Sequence, residues 1–350
     1  MPDGSCAPSS EVAYVDGTMG VDKAPCTKAL PCTRIEDGVA AKPIVKVTGT
    51  VANRCSLNNQ TAKILAEPGT KLAPASTDNG VVLEIKGTSN IEIYDLQISN
   101  SNGANSPGIT AADTATVTLT RAVIRDNAGS GVSISGGQLT CTSCTIANNS
   151  RGIDASAGTT TVMQSTIRDN ASGGIRIMGP AAFHIVSNFI LRNGQAGKAG
   201  SSGVLISVDM QSVGAPLNQI DFNSISKNLT VDMGQGIQCI AGTPLDVNNN
   251  IIWDNGVSPA TAMQVSGNGC NYRFSDVGPV DIGSANSNLS FSPMFQDESS
   301  GNLHLTKDSM LRGKSDPGLA PSGLTARDID GDVRPTTMPS DIGADQFREP

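Results

Sequence analysis

Between Leu119 and Ile177 the chain repeats one short phrase three times. Val123-Ile124-Arg125-Asp126-Asn127 leads to Gly131-Val132-Ser133-Ile134, and Thr145-Ile146-Ala147-Asn148-Asn149 leads to Gly152-Ile153-Asp154-Ala155. Thr166-Ile167-Arg168-Asp169-Asn170 then leads to Gly174-Ile175-Arg176-Ile177. The central isoleucines, Ile124, Ile146 and Ile167, stand 22 and 21 residues apart. A unit this short cannot bury its apolar face alone, so a period of about 20–30 residues requires neighbouring units to stack as a solenoid.

Ile98 precedes the series, and Ile190, Ile225 and Ile252 continue it. Aligned on these pivots, the sequence falls into columns. Five positions before the pivot stand Leu119, Cys141, Val162, Ile185, Ile220 and Val247, all apolar and therefore expected inside. Two positions before it stand Ala122, Cys144, Ser165, Asn188, Asn223 and Asn250, the small or Asn residues of a tight corner. Three positions after it stand Asn127, Asn149, Asn170, Asn193, Asn228 and Asn255 without a break. A recurring inward Asn at a turn bonds its counterpart in the next coil and tolerates left-handed backbone. The Gly-apolar-x-apolar phrase that follows alternates at strand period, which turns x to solvent. The pattern predicts an all-β parallel β-helix of three short strands per coil over residues 43–277. Residues 1–42 are expected to cap its amino-terminal end, with a helical or irregular turn at Ile35–Ala41. Residues 278–350 are expected to cap the carboxyl-terminal end.

Composition narrows the function class. A formal net charge of -8 argues against non-specific nucleic-acid binding. No apolar run approaches the ~20 residues of a membrane span, and the first residues lack the apolar core of a signal peptide. The eight cysteines lack paired metal-ligand spacing, and with only two histidines they favour disulfides over zinc. Cys26–Cys32 and Cys239–Cys270 are the expected pairs, with Cys6–Cys55 a third; Cys141-x-x-Cys144, inside a strand-turn-strand, reads as structural. Disulfides suit a secreted or envelope protein.

The coils, together with Ser275-Asp276-Val277, Pro293-Met294-Phe295, Leu303-His304-Leu305, Asp316-Pro317-Gly318, Asp330-Gly331-Asp332-Val333-Arg334-Pro335 and Asp341-Ile342-Gly343-Ala344, resemble a family of bacterial surface proteins. These are the right-handed parallel β-helix proteins of the choice-of-anchor Q type, and the resemblance covers nearly the whole chain. It implies a secreted or bacterial cell-surface location and kinship with the pectate-lyase-like superfamily.

In such enzymes the site lies on the outer face of the strand after the variable loop. Here that face is expected to present Thr110, Ser133, Asp154, Arg176, Leu205, Gln238 and Gln264. Asp126, Asn148, Asp169, Arg192, Lys227 and Asp254 lie beside it, just before the Asn column. Coils about 4.8 Å apart make neighbours of Asp154 and Arg176, with Asp169 and Arg151 close. Asp154, Arg176 and Asp169 are therefore the candidate catalytic group, with Arg151, Asp126, Arg168 and Arg192 as candidate substrate contacts. A carboxylate that holds Ca²⁺ or substrate, beside a guanidinium that takes a proton or neutralises a substrate acid, is the minimum for uronide lyase chemistry. No cofactor is otherwise called for. The competing reading is that opposite charges on adjacent exposed strands are ordinary cross-strand pairs. It makes the chain a rigid surface module for an acidic polysaccharide, another glycan or another surface protein. Loop insertions at 194–203, 229–235 and 256–262 offer walls for a cleft under the enzymatic alternative, a polysaccharide lyase or hydrolase. Asp328-x-Asp330-Gly331-Asp332 resembles the start of a calcium loop but lacks the closing Glu. Arg334 and Asp341 are expected to pair and lock the cap, and His184 and His304 are expected to lack acid partners.

Overall fold

A computed structural model describes residues 7–75, 77–196, 202–208, 218–230, 235–259, 261–280, 282–337 and 339–349. The chain divides into two compact units, residues 1–145 and 146–350. In the first unit, Val12–Asp16, Ile44–Thr48, Thr61–Ala66, Asn90–Tyr94, Thr116–Thr120 and Gln138–Thr142 pair in sequence as one parallel sheet. A second parallel sheet holds Thr50–Val51, Lys71–Leu72, Gln97–Ser99 and Val123–Arg125. A third holds Cys55–Asn58, Leu83–Lys86, Ile109–Ala111 and Ser130–Ile134. From Ile44 onward each coil gives one strand to each sheet, which is the parallel β-helix expected from the repeat.

The second unit repeats the plan. Thr159–Met163, Ala182–Val186, Gln219–Asp221, Leu245–Asn248 and Cys270–Arg273 form the first sheet. Thr166–Arg168, Phe189–Leu191, Ser224–Ser226, Ile251–Trp253 and Asp276–Gly278 form the second. Arg151–Ala155, Ile175–Gly179, Val204–Val208, Ile237–Ala241 and Val265–Ser266 form the third. The carboxyl-terminal region adds an antiparallel pair, Phe295–Asp297 with Asn302–Leu305.

The columns explain this folding. Leu119, Cys141, Val162, Ile185, Ile220 and Val247 are all fully buried, as are the pivot isoleucines. Asn170, Asn193, Asn228 and Asn255 are likewise buried. Asn170 Oδ1 accepts the Asn149 backbone N–H at 3.0 Å and its Nδ2 at 3.0 Å. Asn170 Nδ2 in turn donates to Asn193 Oδ1 at 2.9 Å, and the relay continues through Asn228 to Asn255. The left-handed residue at this turn is not the ladder Asn. It is the residue before it: Asp126, Asn148, Asp169, Arg192, Lys227 and Asp254 all have φ between 51 and 58°. That kink faces the charged residue outward and turns the Asn in. The corner column hides a second relay, in which Asn188 Nδ2 donates to Asn223 Oδ1 at 3.0 Å and Asn223 Nδ2 to Asn250 Oδ1 at 3.0 Å.

Gln264, expected on the outer face, is buried and closes the first ladder instead. Its Oε1 accepts the Asn255 backbone N–H at 2.9 Å and Asn255 Nδ2 at 3.0 Å. The strand register pairs Gln238 with Ser266, so Ser266 holds the outward position and Gln264 lies two residues upstream.

The caps form from both ends of the sequence. The helix Ile35–Ala41 packs so closely that a Cβ on Gly38 would meet Val15 Cγ2 and Val45 Cγ1, each at 2.8 Å. The strand Val12–Asp16, inside the expected entry and cap segment, pairs in parallel with Ile44–Thr48. Cys26–Cys32 and Cys239–Cys270 are disulfides. Cys55, Cys141 and Cys144 are buried thiols. Cys6, the expected partner of Cys55, lies outside the described residues, as do parts of the three loop insertions.

Candidate functional site

Asp154 and Arg176 occupy register-matched positions on adjacent strands of the third sheet. In-register stacking therefore brings the two side chains together. Arg176 donates from Nε to Asp154 Oδ1 at 2.7 Å and from Nη2 to Asp154 Oδ2 at 2.5 Å, a bidentate pair. The hydrogen bonds to Asp154 push the Arg176 pKa above its ordinary value. Arg151 lies beside this pair and donates from Nη2 to the Ser172 carbonyl at 2.8 Å. Burial, and then the like charge of Arg176, pull its pKa below the usual guanidinium range.

Asp169 is held elsewhere. It occupies the left-handed turn after Thr166–Arg168, and its carboxylate is clasped from two sides. Arg192, its counterpart in the next coil, donates from Nε to Oδ1 at 2.8 Å and from Nη2 to Oδ2 at 3.0 Å. Arg168 donates to Oδ2 at 2.6 Å. Partial burial raises the Asp169 pKa, but the hydrogen bonds from Arg192 and Arg168 outweigh it and hold the carboxyl low. Arg192 also reaches the Ser299 carbonyl at 3.3 Å. Asp126, in the first unit, sits 3.4 Å from Arg125 Nε. The expected residues of the second unit are therefore ion-paired as Asp154–Arg176 and as Arg168–Asp169–Arg192.

The second unit also carries a groove of about 820 Å³ with mixed polar and apolar lining, which periodicity alone did not mark. Gln219, Asp221, Asp246, Asn248 and Arg273 line it from three successive strands of the first sheet, and Asp316 and Leu319 line it from the cap. Asp221 is nearly buried. Its carboxylate accepts Gln219 Nε2 at 2.6 Å and the Asn248 backbone N–H at 3.1 Å. Burial raises the Asp221 pKa against these bonds.

Two expectations about single residues change, those for His304 and Arg334. His304 has an acid partner, with Nε2 3.0 Å from Asp330 Oδ2. His184 is half-buried, so burial lowers its pKa while a hydrogen bond with Gln219 opposes the shift. Arg334 is buried but grips carbonyls rather than the Asp341 carboxylate, with Nη2 2.9 Å from both Gly343 O and Ala344 O. Its guanidinium stacks over the Phe222 ring at 4.3 Å. Burial lowers its pKa to about 10, opposed by the fields of Asp328, Asp341 and Asp345. The Asp341 carboxylate instead accepts the Gly313 and Phe347 backbone N–H groups at 2.7 and 2.8 Å.

No helix among the described residues is long and apolar enough to cross a membrane. The family model described as a right-handed beta helix region matches residues 50–190. No curated protein sequence matches the chain. Among solved structures, the chain is similar to the one described as "Crystal structure of pectate lyase Pel9A", at 13% identity. That similarity covers 99% of this chain and 98% of the other, with a TM-score of 0.61. The stacked parallel coils and these two similarities agree on one fold: the chain is a right-handed parallel β-helix.

Proposed function

We propose that the chain is an extracellular glycan-binding β-helix module without catalytic activity at Asp154, Arg176 and Asp169. One observation carries the reading: each of these side chains is already ion-paired, Asp154 with Arg176 and Asp169 with Arg168 and Arg192. Arg176 is pinned in a bidentate pair, and its bound proton is held more tightly than usual, which is the opposite of what a base needs. Asp169 is neutralised by two guanidiniums, so a cation would have to displace them to bind. Both groups join residues of successive coils.

The groove on the first sheet offers better binding chemistry. Side-chain amides and carboxylates at strand spacing suit the hydroxyl pairs of a sugar ring, and Leu245 and Leu319 supply apolar contact. Asp221, Asp246 and Asp316 stand against Arg273 as the charged lining, so a neutral polysaccharide fits better than the acidic one expected from the resemblance. Two disulfides and the likeness to choice-of-anchor Q surface proteins support an extracellular setting.

Affinity electrophoresis through gels containing a neutral β-glucan, a galactomannan or polygalacturonate tests the reading. A neutral polysaccharide should retard the protein, and Asp246→Ala combined with Arg273→Ala should abolish the retardation. Retardation by polygalacturonate alone, or retardation that survives the double substitution, would place binding elsewhere.

A further inference from the structure

His304, Asp330 and Asp345 come from three segments of the carboxyl-terminal region: the strand Asn302–Leu305, the turn after Asp328, and the stretch after Gly343. One ligand atom from each lies within 4.8 Å of the other two. His304 Nε2 faces Asp330 Oδ2 at 3.0 Å. The other ring nitrogen, Nδ1, lies 2.5 Å from Asn302 Oδ1. That same oxygen accepts the His304 backbone N–H at 3.1 Å, which identifies it as the acceptor atom of the Asn302 amide. Nδ1 must therefore carry a hydrogen and donate it.

The consequence falls on Nε2. In the neutral ring its lone pair faces the Asp330 carboxylate, which offers only lone pairs itself. Three electron-rich atoms this close call for a cation, either a proton on the ring or on a carboxylate, or a metal ion among the three. The surroundings match a metal ligand. A ligating imidazole characteristically fixes its tautomer by donating its second N–H to an oxygen, as Nδ1 does to Asn302. The ring is also oriented by an edge contact with Phe189, with centroids 5.1 Å apart and planes at 85°. The Asp345 carboxylate is anchored by the Leu305 backbone N–H at 2.8 Å. The His304 and Asp330 side chains are 26% and 57% exposed, so an ion can enter and water can complete its shell.

We propose that His304, Asp330 and Asp345 form a binding site for a divalent cation of the Zn²⁺ class. One imidazole nitrogen with two carboxylates suits that borderline ion; an all-oxygen shell is what Ca²⁺ takes. The bound ion would tie the cap strand, the Asp330 turn and the terminal stretch together.

The test uses the full chain, free of any polyhistidine tag and stripped with chelator. Titration calorimetry with ZnCl2, and with CaCl2 as the comparison, reads binding directly, and a thermal scan reads the linked stabilisation. One equivalent of Zn²⁺ should bind and raise the melting midpoint, with Ca²⁺ at least about tenfold weaker. Asp330→Asn and His304→Gln should each weaken Zn²⁺ by about ten- to a hundredfold. Asp330 is exposed, so its variant reports on binding even if His304→Gln disturbs the cap. Absence of one-equivalent binding, equal affinity for Ca²⁺, or an unchanged affinity in Asp330→Asn would each overturn the proposal.

Discussion

Replacing Asn170 by Ala should cost more stability than a single hydrogen bond is worth. Asn170 Oδ1 serves two donors of Asn149, the backbone N–H and Nδ2, each at 3.0 Å. Its Nδ2 serves two acceptors, the Ile146 carbonyl at 3.1 Å and Asn193 Oδ1 at 2.9 Å. Asn170 and Asn193 are fully buried and Asn149 nearly so, and water has no path to replace what Ala removes. The Asn149 backbone N–H and the Ile146 carbonyl then lose buried partners, at about 1–3 kcal/mol for each unsatisfied group. Partial relaxation of the turn offsets some of this, leaving an expected loss of about 2–5 kcal/mol. Equilibrium urea unfolding followed by circular dichroism measures it. The matched control is Asn90→Ala, the same chemical change at an exposed strand position, which should fall within about 0.5 kcal/mol of the parent. An Asn170→Ala midpoint indistinguishable from that of Asn90→Ala would refute the ladder as a source of stability.

Other substitutions probe separate parts of the structure. Arg176→Ala removes an ion pair whose side chains are 37% and 22% exposed, so stability should change by no more than about 1 kcal/mol in the same urea assay; a larger loss would show the pair to be structural. Alkylation of unreduced protein in denaturant should label Cys55, Cys141 and Cys144, while Cys26, Cys32, Cys239 and Cys270 react only after reduction; label on Cys239 without reductant would contradict the pairing. Asp276 is fully buried, and burial raises its pKa from 3.8 to about 7, against a hydrogen bond from the Phe291 N–H. The folded protein therefore holds this proton more tightly than the unfolded chain. The stabilising contribution is fully present below pH 3.8 and is lost as pH rises through about 7. Asp276→Asn should accordingly gain stability relative to the parent at pH 8 compared with pH 5, and an identical difference at both pH values would refute this assignment.

The fold was legible because a stack in register writes the same side chain at the same place in every turn. Ile124, Ile146 and Ile167 mark the interior, and the unbroken Asn column could only be an inward ladder. The same regularity shows how the candidate residues choose their partners. In a parallel stack a side chain first meets the residue of its own column in the next coil. Asp154 meets Arg176 by that rule, and Asp169 meets Arg192 rather than Arg176. Equal coil spacing indicated nearness but left open which column each residue faced. The second Asn relay passed for mere corner packing, because Ala122 and Cys144 stand in the same column as Asn188 and Asn223. The surroundings of His304 were not legible at all. Its partners Asp330 and Asp345 follow 26 and 41 residues later, in segments with no period to align them.

Turnover of an acidic polysaccharide tests the central claim most directly. The chain, incubated with polygalacturonate with and without Ca²⁺, is followed by ultraviolet absorbance of the unsaturated uronide that lyase cleavage creates. Ion pairing of Asp154 with Arg176, and of Asp169 with Arg168 and Arg192, predicts no increase over the protein-free control in either condition. A Ca²⁺-dependent increase that disappears in Arg176→Ala would contradict it and make that pair the catalytic centre.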